Sequence, residues 1–112
     1  MSNWTILNLL DVDDSAAGRM DGLEVRMGRK HMESRDVGVS LFRYGPTVRN
    51  PMSHKHREQE EAYVKQWDVV RVAPEVLRAF EAGPDGMDVV AVGGPKPEGG
   101  DGEISDAPWP DG

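Results

Sequence analysis

The sequence predicts an all-β fold. Two observations carry that expectation: short β-branched runs recur along the chain, and Gly/Pro turns separate them. Leu23–Met27 alternates apolar Leu23, Val25 and Met27 with charged Glu24 and Arg26, the period-two pattern of a half-buried strand. Val37–Tyr44 is the best strand of the first half, and Gly45-Pro46 ends it. Asp68–Ala73 contributes Val69, Val70 and Val72 before Pro74. Met87–Val92 opens after the turn Gly83-Pro84-Asp85-Gly86 and closes at Gly93-Gly94.

The ends of the chain read differently. Trp4–Val12 is apolar enough for an edge strand or a short helical turn, and Asp13, Asp14 and Ser15 offer capping chemistry that Gly18 cuts short. Residues 94–112 hold five Gly, four Pro, five acidic residues and one Lys, which is −4 of the chain's net charge of −7. Such a stretch buries too little apolar area to offset its ordering entropy, so a disordered acidic tail is expected, with Trp109 as its one large anchor. The expected organisation is one β domain over 1–93 followed by that tail.

Composition narrows the partners. With 112 residues the chain supports one core. A net charge of −7 argues against nucleic acid and anionic membrane surfaces. The absence of cysteine excludes disulfides, thiolate metal sites and Cys nucleophiles. No apolar run approaches the roughly 18 residues that span a bilayer, and the N-terminal residues lack a signal pattern, so a cytoplasmic protein is expected.

The chemistry concentrates at 54–61. On a strand, His54 and His56 share a face, so both imidazoles can converge on one ion. A carboxylate from Glu60 or Glu61 would complete a two-His, one-carboxylate set suited to Fe, Mn, Ni or Zn. The competing interpretation is a solvated charged turn without metal. His31, in a basic run, reads as a surface residue. Residues 57–66 are rich in helix formers, with a Glu61–Lys65 pair at i, i+4, so a short helix near 57–66 competes with a strand.

The stretch PMSHKHREQEEAYV resembles the first motif of the cupin superfamily, and WDVVRVAPEVLRAFEAG resembles the second. The resemblance covers roughly residues 37–93. It implies a small jelly-roll barrel, commonly a homodimer, with metal ligands His54, His56 and Glu61. The pattern departs at several places: Val48, Asp68, Trp67 and Glu75 stand at glycines, Ala73 at a proline, and Ala82 at an asparagine. Arg78 stands at the remaining metal-binding histidine, and a guanidinium has no lone pair to offer a metal.

Only Ala62–Gln66 separate Glu61 from Trp67, as though a hairpin were missing, so the expected barrel is incomplete and exposes strand edges. A partner chain or a local helix would complete it, or the chain would be marginally stable. Arg78, Tyr63 and Arg43 are candidate contacts for a small, anionic ligand. No catalytic residue is nominated; Glu58 and Glu60 qualify as bases only by adjacency. The function expected is a degenerate cupin module binding a small molecule or metal; the alternative is a metal-dependent cupin enzyme acting on a small polar or anionic substrate.

Overall fold

A computed structural model describes residues 3–105 and Trp109. Two layers face each other. The larger is a five-stranded antiparallel sheet in the order β1-β2-β6-β4-β5, built from β1 (Leu23–Met27), β2 (Gly38–Tyr44), β4 (Glu61–Lys65), β5 (Asp68–Val72) and β6 (Met87–Gly93). The smaller pairs β3 (Ser53–His56) with β7 (Gly102–Ser105). Residues 74–83 extend this second layer through His54 paired with Arg78 and Arg49 paired with Glu81. The all-β class expected from the alternating runs is therefore the architecture found. Among the described residues, helix is confined to α1 (Arg29–Met32) and a 3-10 turn at Leu9–Asp11.

The core lies between the layers. Leu23, Val25, Tyr44, Tyr63, Val89 and Ala91 project from the large sheet, and Ala82 meets them from the second layer. Phe80 packs its ring on Tyr63 at 4.7 Å between centroids. Period two explains which residues these are: Phe42 and Tyr44 turn inward, so Arg43 between them is on the solvent face. At the β6 entry, Gly86 has φ +78, and a Cβ there would lie 2.6 Å from the Tyr44 carbonyl oxygen. That position demands glycine.

Two expectations change. Residues 57–66 form no helix: Glu61–Lys65 is β4, paired on one side with β5 and on the other with β6. Local helix propensity of a few tenths of a kcal/mol per residue is outweighed by two ladders of backbone hydrogen bonds and the burial of Tyr63. The short spacing between Glu61 and Trp67 leaves no room for a further strand pair: β4 and β5 are joined directly by a two-residue turn in which Gln66 has φ 55. The sheet consequently stops at β5.

The second change concerns the acidic tail. Within it, β7 pairs residue for residue with β3, and Asp101 is 2 % exposed. Trp109 donates from Nε1 to the Asn50 carbonyl at 2.7 Å and lies under the Arg49 guanidinium. Specific backbone pairing and one buried carboxylate hold residues 101–105, within a stretch whose composition alone predicts disorder; residues 106–108 and 110–112 lie outside the described residues. Trp4–Val12 contains no strand, only the 3-10 turn.

Candidate metal centre

Two strands from facing layers bring the candidate ligands together. β3 carries His54 and His56 on one face, and β4 brings Glu61 up from the opposite sheet. One ligand atom from each of the three lies within 4.8 Å of the others. His56 Nε2 is 3.1 Å from Glu61 Oε1, and His54 Nε2 is 3.7 Å from the same oxygen. The imidazole planes stand at 88° with centroids 5.2 Å apart, so both rings aim at one point without stacking.

Arg78 enters because it sits directly opposite His54. The two exchange backbone hydrogen bonds of 3.0 and 2.9 Å, which puts the Arg78 side chain on the face of the histidines. Its Nη2 donates to Glu61 Oε1 at 3.1 Å and its Nε to the Tyr63 hydroxyl at 3.3 Å. Nη1 donates to the carbonyls of Pro74 and Val76. Four of the five N–H groups of a guanidinium are thus taken by the chain itself, at a side chain 5 % exposed.

Tyr63 also donates to Glu61 Oε1, at 2.5 Å. Burial and the Glu61 carboxylate push its phenol well above the ordinary range, against the opposing pull of Arg78, so Tyr63 remains a donor. Burial opposes ionisation of Glu61 as well. Interactions with His54 and Tyr63, and the charges of His56 and Arg78, outweigh it and hold the carboxyl at about 2.

Asp101 is the residue that sequence reasoning missed. Its Oδ2 accepts from the backbone N–H of Glu58 at 2.8 Å and of Gln59 at 2.7 Å, while Oδ1 is 2.8 Å from His56 Nδ1. Its burial is outweighed by those donors and by His56, which hold its carboxyl at about 2. A carboxylate only accepts, so His56 Nδ1 carries a proton and donates it. Nε2 faces Glu61 Oε1 at 3.1 Å, where it donates when the ring carries both protons and offers its lone pair to an ion when it does not, the arrangement that orients metal-bound imidazoles. No sequence pattern marks Asp101, which sits between two glycines in an acidic stretch.

The other nominated residues lie elsewhere. Arg43 bonds Asp88 and Glu24 on the outer face of the large sheet. Glu60 bonds Arg71 at 2.8 Å and is largely exposed. His31 faces Asp13 at 3.6 Å on α1. Among the described residues, His54, His56 and Glu61 form the one such donor cluster.

The donor set fits a divalent ion in type and spacing, since two imidazoles and a carboxylate suit Fe, Mn, Ni or Zn. Arg78 works against it, because its cation already occupies Glu61 Oε1. The same depressed carboxyls predict acid lability. Glu61 and Asp101 fall from ordinary values of 4.5 and 3.8 to about 2 in the folded chain. The stability they contribute, on the order of 2–3 kcal/mol each, is present above about pH 4.5 and lost as pH falls towards 2. Urea midpoints measured from pH 7 to pH 2.5 should drop steeply below pH 4.5, and less steeply in Glu61→Gln.

No helix among the described residues is long and apolar enough to cross a membrane. No family model matches the sequence, and no curated protein matches it. Among solved structures, the chain is similar to the crystal structure of a sugar phosphate isomerase from a cupin superfamily, from Silicibacter pomeroyi DSS-3. The TM-score is 0.46 at 18 % identity, over 96 % of this chain and 94 % of that one.

Proposed function

We propose that this chain is a cupin-type β module that binds a divalent metal ion weakly through His54, His56 and Glu61, its affinity reduced by Arg78. One observation carries the reading: three donors from two facing strands lie within 4.8 Å of one another. Asp101 supports it by fixing His56 with Nε2 turned towards Glu61.

The ion would supply Lewis acidity and coordination positions open to a small polar ligand. The chain's own groups would do the rest. Tyr63 and Arg78 hold Glu61 ionised, and Asp101 keeps the proton of His56 on Nδ1. Arg78 keeps a single N–H for any anionic ligand, which favours a binding module over a catalyst built on that residue.

Metal content of protein purified without a histidine tag, then equilibrated with Mn(II), Fe(II), Ni(II) or Zn(II), tests the reading. About one equivalent of ion is expected in wild type and none in a His54→Ala/His56→Ala variant with an unchanged circular dichroism spectrum. Equal binding by both proteins, or none by wild type, would overturn it.

A further inference from the structure

The strand that follows Asp101 is held differently from the rest of the fold. β7 pairs with β3 on one side, and among the described residues nothing pairs with its other edge. His54 exchanges backbone bonds with Arg78, and His56 N–H donates to the Pro74 carbonyl, so the even residues of β3 address residues 74–78. The odd ones address β7, and Arg57 N–H continues the series by donating to the Asp101 carbonyl at 3.2 Å. Lys55–Glu103 and Ser53–Ser105 are therefore the hydrogen-bonded pairs of a short ladder. Every residue of β7 is exposed, and Ile104, its one large apolar group, is 73 % exposed. Apolar burial contributes almost nothing to docking here, so this strand opens more readily than the large sheet.

Two fasteners and a hinge bound the strand. At its start, Asp101 accepts from the N–H groups of Glu58 and Gln59 and faces His56 Nδ1. Past its end, Trp109 is half-buried, donating to the Asn50 carbonyl beneath the Arg49 guanidinium. That seat is firmly held. Asn50 N–H donates to the Phe80 carbonyl at 2.9 Å, while Asn50 Oδ1 accepts from Phe80 N–H at 2.8 Å and from the Tyr44 hydroxyl at 2.9 Å. Just before Asp101, Gly99 and Gly100 have φ +81 and +80. Two glycines in the left-handed region, with no side chains to pack, absorb backbone rotation at little cost.

We propose that residues 101–105 and Trp109 form one detachable strap, hinged at Gly99-Gly100, and that Trp109 is a positioning residue acting through Asp101 on His56. Docked, the strap keeps a proton on His56 Nδ1 and Nε2 turned towards Glu61. Released, it carries Asp101 away, and the ring loses both its tautomer and its aim. An ion held by His54, His56 and Glu61 binds the docked form, so by linkage it also holds the strap shut. That last step rests on the metal reading above; the strap itself does not.

Amide hydrogen exchange of the full-length chain, read by NMR, tests both parts. Without metal, the amides of Lys55, Arg57, Glu103 and Ser105 should exchange as a group, about 100-fold or more faster than those of Ala62, Val64 and Val92 in the β4–β6 ladder. Trp109→Ala should speed the group about tenfold or more and leave Ala62, Val64 and Val92 unchanged. Trp4→Ala, at a tryptophan 71 % exposed, should leave both sets unchanged. One common rate for the two sets in wild type overturns the strap, as does a Trp109→Ala protein in which both sets shift alike or neither shifts. Zn(II) at about 100 times its Kd should then slow the group about 100-fold. Protein that binds Zn(II) without this slowing overturns the coupling. Protein that binds no Zn(II) overturns the metal reading and the coupling with it, while the metal-free rates still decide the strap.

Discussion

Replacing Arg78 with methionine is expected to lower the melting temperature by on the order of 10–15 °C, yet to tighten divalent-metal binding at least tenfold. The two effects have opposite signs because Arg78 occupies the place of a cation. It is 7 % exposed, donates to Glu61 and Tyr63, and satisfies the carbonyls of Pro74 and Val76. Methionine keeps the volume and apolar stem but strands the Glu61 carboxylate among imidazoles and a phenol. Leaving a buried charge without its partner costs about 3–5 kcal/mol, which in a domain of this size is a double-digit shift in melting temperature.

With an ion bound, that calculation reverses. The ion takes over neutralisation of Glu61, and the like charge a few ångströms away is gone. Even at an effective dielectric near 20, two charges against one at that range repel by several kcal/mol, so a tenfold gain is a modest expectation. Differential scanning fluorimetry with and without Mn(II) or Zn(II) reads both quantities. If metal affinity falls together with stability, Arg78 is instead a scaffold for the ligands, and the competition described above is wrong.

The strands with alternating or β-branched side chains were legible because a period of two survives any tertiary context: β1 coincides with Leu23–Met27, and β2, β5 and β6 lie within a residue of expectation. The histidine pair was legible for the same reason, since i and i+2 on a strand share a face, whereas the choice of Glu61 over Glu60 rested on the resemblance alone. What was not legible depended on partners distant in sequence. Residues 57–66 carry helix-forming side chains, and only pairing with β5 and β6 makes 61–65 a strand. The Gly-rich acidic stretch becomes β7 only because β3 offers it a ladder, and Asp101 is buried only because Glu58, Gln59 and His56 converge on it. Arg78 was found by alignment to a histidine position. Its reach into Glu61 follows from a cross-strand pairing with His54 that no spacing along the chain reveals.

Asp101→Asn should weaken metal binding more than its small change in shape suggests, by about 10–100-fold. The backbone decides which way the amide turns. Both N–H groups of Glu58 and Gln59 converge on Oδ2, so the asparagine oxygen must occupy that position. The amide NH₂ then replaces Oδ1 and faces His56 Nδ1, formerly 2.8 Å from an acceptor. Two donors cannot face each other. His56 must give up the Nδ1 proton and carry it on Nε2, the nitrogen that addresses Glu61 and would bind the ion. Loss of such an orienting carboxylate, its hold on the tautomer included, typically costs 10–100-fold in metal affinity. Nitrogen-15 NMR of the His56 ring reads the tautomer directly, and calorimetry reads the affinity. A variant that keeps its Nδ1 proton and its affinity would show that Asp101 serves only to hold β7 and the 57–59 turn in place. In that case Asp101→Ala should lower thermal stability while leaving His56 unchanged. The two roles separate because a structural bond needs only an acceptor for backbone N–H groups, which asparagine supplies, whereas the tautomer depends on what occupies the second oxygen.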